Sequence, residues 1–291
     1  MPEKPVLLEV LHITEYHYAE PVLQGRNDAW LLPRETPTQK VLDARIIIEP
    51  EAESIARRAD FFGNPVVSFE IHDQHQDMVV TARSRVEITP RELIDPEATP
   101  AWETVRALSE PTLGAEQANA IVYLFSSQLV RRNADFLPYV SQSFTPSRPV
   151  FAAASHLSQR IFRDFQYVPG STKVDTPPEE AFRQRRGVCQ DFAHFLIACL
   201  RTAGVPARYV SGYLRSRPGF VGAEASHAWV SFYCPGFGWI DLDPTNNVMP
   251  STAHVVLSWG RDYQDVPPIR GVALGGGEHK VDVSVGVTEV K

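Results

Sequence analysis

The stretch GVCQDFAHFLIACLRTAGVP, Gly187 to Pro206, limits the possible folds of this sequence more than any other. Phe192, Phe195, Leu196, Cys199, Leu200 and Ala203 recur at spacings of three and four, with Ile197 and Ala198 filling the other flank. The spacing predicts a helix buried on most sides. Gly204 and Pro206 end it, and no capping side chain is evident at its start. Cys189 falls in the first turn, where unpaired backbone N–H groups and the positive end of the helix dipole favour an anion. For a cysteine that anion is a thiolate, which can attack a carbonyl. A lone cysteine is otherwise a small buried hydrophobe, so this segment alone leaves both readings open.

The flanking sequence divides into blocks. Residues 5 to about 95 carry short alternating or β-branched runs (LLEVLHITEYHY, DARIIIEP, NPVVSFEIH, MVVTARSRVEIT) separated by Pro, Gly, Asn and Asp, which predicts a small β-sandwich. The cluster His72-Asp73-Gln74-His75 reads as a polar hairpin tip, with a metal box as the alternative. ITPRELIDPEATPAW holds three prolines and changes the period, so a boundary is expected there, dividing the chain into 1–95 and 96–291. Helical patterns follow, clearest in AEQANAIVYLFSSQLVRR and FAAASHLSQRIFRDFQY, then a loop at GSTKVDTPP and a short helix from Glu179 to Arg186. Beyond the central helix, ARYVSGYLRS, HAWVSFYC, GWIDLDPT and the strictly alternating KVDVSVGVTEV are strand-like, all expected within the second domain. GVALGGGEHK reads as a turn. Helices followed by antiparallel strands make the fold class α+β.

Composition narrows the function. Hydrophobic residues at 43% and charged residues at 22% describe a globular chain, and a net charge of −7 argues against a nucleic-acid partner. The apolar run Pro5 to Leu8 is broken by Glu9, so neither a signal peptide nor a membrane segment is expected. Three cysteines without a CxxC pair speak against a disulfide framework and suit a reducing, cytoplasmic location. Paired-thiol zinc or redox chemistry lacks its spacing for the same reason, and no cofactor is expected.

A cysteine nucleophile needs a base within reach and a third group to orient that base. His227 and Asp243 lie on two arms of a predicted hairpin whose turn contains Pro235, Gly236 and Gly238. His227, Trp229, Ser231 and Tyr233 share one face of the first arm, and Trp239, Asp241 and Asp243 share one face of the second. If Tyr233 pairs with Trp239, the two faces coincide and Asp243 stands opposite Trp229. That is one diagonal step, roughly 7 Å, from His227. Asp241 lies a further step away, so Asp243 is the expected partner. Cys199 and Cys234 lack a base and are expected to be spectators.

These residues also resemble a family. GVCQDFAHFLIACLRTAGVPARYVSGY, SHAWVSFYCPGFGWIDLDPTNN and YVPGSTKVDTPPEEAF are similar to the core of bacterial transglutaminase-like proteins, which belong with papain-like cysteine enzymes. LHITEYHYAEPV with LLPRETPTQ resembles the N-terminal β domain of that subgroup, and GRDYQDVPPIRG its C-terminal signature. The resemblance implies helices packed on an antiparallel sheet, with Cys189 as nucleophile, His227 as base and Asp243 as the residue that fixes the imidazole. The substrate expected is a peptide or amide, with hydrolysis favoured over transfer to an amine because water is in excess; a silent binding module on the same fold is the rival from another class. No tryptophan lies between Trp102 and Cys189 to match the oxyanion donor of the animal enzymes. The Cys189 N–H and Tyr167 are the candidates for that task. Asp241-Leu242-Asp243 lacks the glycine and distal glutamate of a calcium loop, so no metal is expected.

Overall fold

A computed structural model describes residues 4–106 and 119–290. The first five strands are β1 (Val6–Ala29), β2 (Gln39–Glu49), β3 (Ser54–Ala59), β4 (Pro65–Ile71) and β5 (His75–Ile88), arranged β2-β5-β1-β4-β3 with antiparallel neighbours. The predicted alternation is plain in β5: Met78, Val80, Ala82, Ser84, Val86 and Ile88 are buried while Arg83, Arg85 and Glu87 face water. β1 serves both halves of this sheet, pairing with β5 through residues 6–17 and with β4 through residues 25–29. Phe69 and Ile71 of β4 share one apolar cluster with Met78, Val80 and Ala82 of β5 and Ile48 of β2, so the two halves of this one sheet contribute to a common core, where a small sandwich was expected. His72 to Gln74 form the β4–β5 connection. There His72 pairs with Glu53 at 2.6 Å, and the His75 ring meets the Asp73 carbonyl.

The expected division into 1–95 and 96–291 misplaces the C-terminal strands. β12 (Ile269–Gly275) pairs with residues 22–29 of β1, and β13 (His279–Val290) with residues 7–18, Leu7 standing opposite Val290. Both therefore complete the N-terminal sheet, because β1 offers a free edge opposite β5 along one half and opposite β4 along the other. The same pairing makes a strand of GVALG, leaving only the glycines at its end, with positive φ from Gly275 to Gly277, to form the expected turn.

The core sheet is antiparallel in the order β10-β9-β8-β11: β8 (Ala207–Leu214), β9 (His227–Cys234), β10 (Gly238–Leu242) and β11 (His254–Gly260). The helix Cys189–Ala203 packs on it, flanked by the helices Val150–Asp164 and Pro178–Gln184, and buries every residue except Gln190 and Thr202. Its apolar circumference is accounted for by neighbours on both sides. Gly204, at φ 88°, ends it in the left-handed conformation that glycine tolerates best. Leu8, Val10, Val86 and Ile88 cluster with Tyr213, Val255 and Leu257, which joins the two sheets through an apolar contact. Among the described residues no helix is long and apolar enough to cross a membrane.

The helix expected across AEQANAIVYLFSSQLVRR is not continuous. Its first four residues lie outside the described residues; from Val122 a single 3-10 turn, Val122–Leu124, gives way to irregular chain. The fully buried Arg201 explains the break. Its guanidinium donates to the carbonyls of Tyr123 and Ala207 at 2.8 and 3.0 Å, to that of Val130 at 3.4 Å and to Ser127 Oγ at 3.0 Å. A guanidinium carries five donors, and here they hold the Tyr123 and Val130 carbonyls away from helical pairing.

Candidate active site

Cys189 is the first residue of the central helix and is 8% exposed. The helix start is capped after all, by a residue inside it. Asp191 Oδ2 accepts the Val188 N–H at 2.7 Å and the Thr172 hydroxyl at 2.6 Å, the reach-back half of a capping box. Burial raises the Asp191 pKa, and these hydrogen bonds oppose the rise. Gly187 is dictated by the close approach, since a Cβ there would lie 2.6 Å from Asp191 Oδ2. A short parallel bridge sets Tyr167 beside Gly187. Sequence reading missed this cap because the acceptor lies three residues inside the helix.

The hairpin has the register that side-chain parity requires. Tyr233 pairs with Trp239, Ser231 with Asp241 and Val230 with Leu242, which sets Asp243 beside Trp229. His227 Nε2 lies 2.8 Å from Asp243 Oδ2, and neither side chain is exposed. Asp241 binds Arg91 at 2.6 Å instead of the ring.

Asp243 is ringed by donors. Its Oδ2 accepts from His227, from His254 Nε2 at 3.2 Å and from Asn246 Nδ2 at 2.9 Å; its Oδ1 accepts the backbone N–H groups of Thr245 and Asn246 at 2.9 and 3.2 Å. Burial opposes ionisation of this carboxyl, but His227, with help from His254, outweighs it and holds the pKa well below the usual carboxylate range. Burial likewise pushes the His227 ring down; the charge and hydrogen bond of Asp243, with Cys189 adding to them, win and hold it at about 10. In His254 burial wins over Asp243 and the pKa is lowered, so that ring is a neutral donor. His254 and Asn246 were not singled out from the sequence. His254 is carried to Asp243 from another strand by the fold, while Asn246 sits three residues beyond Asp243 in the turn that ends the hairpin.

His227 Nδ1 is the nitrogen turned to Cys189, whose side chain helps to raise the ring's pKa, and no other described group bonds to it. Gly222, at φ 82°, lies over this edge: a Cβ on it would stand 2.9 Å from Nδ1 and 3.4 Å from the Tyr167 hydroxyl. Burial, then Cys189 and Glu224, push the Tyr167 hydroxyl up to about 12, so it stays protonated as a donor near the thiol. His227, Asp243 and His254 bring three ligand-type atoms within 4.8 Å of one another. Asn246 nevertheless aims an N–H at Asp243 Oδ2, its orientation fixed by the Val221 N–H donating to Asn246 Oδ1 at 2.8 Å. The pocket around that oxygen therefore suits an anion held by donors better than a cation. A separate cavity of about 760 Å³ lies along the sheet between Trp239, Trp259 and Arg91, and none of Cys189, His227 and Asp243 lines it.

Cys199 and Cys234 are both fully buried. Burial raises the Cys199 thiol far above its ordinary value and the Cys234 thiol to about 12. Replacing either with alanine should leave the reaction of Cys189 with iodoacetamide unchanged, while Cys199→Ala lowers stability by on the order of 1 kcal/mol through a small cavity. Mass-spectrometric mapping of the alkylated thiol and a denaturant titration check both statements.

Comparison with known proteins gives the family and the fold. Residues 139–244 match the transglutaminase-like superfamily, and residues 8–87 match the bacterial transglutaminase-like N-terminal region. An uncharacterised protein of Mycobacterium tuberculosis is 35% identical over 292 residues, covering 96% of this chain and 91% of its own. The protein-glutamine gamma-glutamyltransferase of Pseudomonas aeruginosa is 32% identical over 112 residues, 36% of this chain and 17% of that protein. A solved structure from Cytophaga hutchinsonii, described as a suspected cysteine protease, has a TM-score of 0.82 at 22% identity, covering 100% of this chain and 93% of its own. At that identity it speaks for the fold, an α+β architecture with an N-terminal antiparallel sheet. With likeness along nearly its whole length and a core that matches the family, the chain belongs to the transglutaminase-like superfamily, whose members are generally cysteine-dependent enzymes.

Proposed function

We propose that the protein catalyses thiol-dependent acyl transfer on an amide bond, with Cys189 as nucleophile, His227 as general base and acid, and Asp243 as the group that orients the imidazole. The observation that carries this reading is the buried contact of His227 Nε2 with Asp243 at 2.8 Å, which leaves Nδ1 free beside a cysteine at a helix N-terminus. At neutral pH the ring, its pKa held at about 10, is already the imidazolium, and Sγ attacks the carbonyl carbon as the thiolate paired with Nδ1–H. The resulting oxyanion meets the backbone N–H of Cys189 and the Tyr167 hydroxyl. As the C–N bond breaks, the imidazolium returns its proton to the leaving amine. Water, deprotonated by His227, then attacks the thioester and releases the acid with the free thiol. We favour water as acceptor because it is in excess wherever the site opens. The alternative acceptor, an amine, draws support from the likeness to the Pseudomonas glutamyltransferase. The three free cysteines support our placing this chemistry in the cytoplasm.

The test uses a glutamine-containing peptide with and without added hydroxylamine. Expected are ammonia release, an acyl adduct on Cys189 found by mass spectrometry, and no adduct in Cys189→Ala. Hydroxamate in place of acid would assign the amine acceptor. If wild-type Cys189 reacts with iodoacetamide no faster than in His227→Ala, the binding-module reading replaces the enzyme.

A further inference from the structure

The loop of residues 215–226 joins β8 to β9 and passes directly over the edge of His227 that faces Cys189. Gly222 touches that edge, as the 2.9 Å approach of an added Cβ to Nδ1 shows. The residue before it, Val221, is held by one side chain. Its N–H donates to Asn246 Oδ1 at 2.8 Å, and its carbonyl accepts from Asn246 Nδ2 at 3.3 Å. The same Nδ2 reaches Asp243 Oδ2 at 2.9 Å, and the Asn246 backbone N–H reaches Asp243 Oδ1. One asparagine therefore grips the covering loop as a strand partner would and, with its remaining N–H, grips the carboxylate that orients the base. At the other end of the loop, Arg217 Nη2 donates to Thr252 Oγ1 at 3.2 Å. With the loop in place Cys189 is 8% exposed and His227 1%.

We propose that Asn246 is a positioning residue that fastens the loop 215–226 to Asp243, so that covering the site and fixing the base are one event and substrate enters when that fastening releases. The inference rests on the function proposed above. Release at Val221 costs two hydrogen bonds and the contact of the Phe220 ring with His254, and no buried residue of the loop, an opening within reach of ordinary thermal fluctuation. Gly219 and Gly222, at φ 84° and 82°, give the loop two points at which the backbone turns where other residues are strained. While the loop is closed, Asn246 keeps a donor on Oδ2 beside His227, and the carboxylate is held to receive the ring.

Cys189 alkylation with a small and a bulky reagent, iodoacetamide and fluorescein-5-maleimide, separates this proposal from the function beneath it. The iodoacetamide rate in wild type and in His227→Ala tests the thiol and its base. The ratio of bulky to small rates tests the latch. In Asn246→Ala that ratio should rise roughly tenfold, the factor expected from losing hydrogen bonds of ordinary strength, and hydrogen exchange at the Val221 N–H should quicken. Val221→Pro removes the N–H that Asn246 accepts without changing any residue that touches Asp243, so it should raise the ratio as well. A ratio that stays at the wild-type value in folded Asn246→Ala overturns the proposal. So does a rise in Asn246→Ala that Val221→Pro does not share, which would place the effect at Asp243 alone.

Discussion

Replacing Asp243 with asparagine is expected to lower amide turnover by about 10⁴-fold, the loss typical when the orienting acid of such a triad is removed, and to move the high-pH limb of the rate profile downward. The direction follows from the balance at His227. Burial lowers the ring's pKa, and Asp243 is the main cause that raises it to about 10. An amide cannot supply that negative charge, so burial prevails in the variant, and the imidazolium that must protonate the leaving amine is lost at lower pH. The same linkage acts on folding. A ring whose pKa is raised from 6.5 to about 10 contributes stability that is complete below about pH 6.5 and fades as the pH climbs through 10. Asp243, depressed by His227, contributes above the ordinary carboxylate range and is lost only in strong acid. Wild-type stability should therefore fall between about pH 6.5 and 10 more steeply than that of Asp243→Asn. Chemical denaturation across pH and a rate profile in matched buffers would measure both slopes; an unmoved high-pH limb would show that Asp243 does not tune His227.

Arg201→Met should cost about 3–5 kcal/mol, the range for removing one partner from a buried charged network. Arg201 is fully buried, and burial lowers its pKa to about 9. Its guanidinium joins the central helix to the chain around Tyr123 and Val130, to the start of β8 at Ala207 and to the Arg261 carbonyl. Methionine fills much of the volume but leaves those carbonyls without donors in a dry interior. The helix that presents Cys189 is the element that would loosen. Urea unfolding at neutral pH checks the figure, and a loss under 1 kcal/mol would mean that water or neighbouring N–H groups replace the guanidinium.

What could be read from the sequence was what depends on neighbours along the chain. The all-round apolar pattern from Phe192 to Ala203 gave the central helix, because burial on every side leaves a local signature. The face shared by His227 and Asp243 followed from counting residues around one hairpin, and the register of Tyr233 with Trp239 is the one that count required. What escaped is non-local. Arg201 reaches back more than seventy positions to break a helix that local propensity favoured, and nothing near Val130 announces it. His254 acts on Asp243 because a neighbouring strand returns to it, and Asn246, though only three residues on, is aimed by Val221 from twenty-five residues upstream. KVDVSVGVTEV was recognisable as a strand, but its alternation is silent on which sheet it joins.

β1 carries a consequence for how the molecule is made. It is 24 residues long, and along residues 7–18 its second edge is covered only by β13. During synthesis that edge stays open until nearly everything after it has left the ribosome. A long strand with unpaired N–H and C=O groups can recruit another copy of itself. The contact that closes it, Leu7 with Val290, spans almost the largest sequence separation this chain offers, and contacts of that kind form slowly. Between the making of β1 and the making of β13, this edge stands open to pairing with another copy.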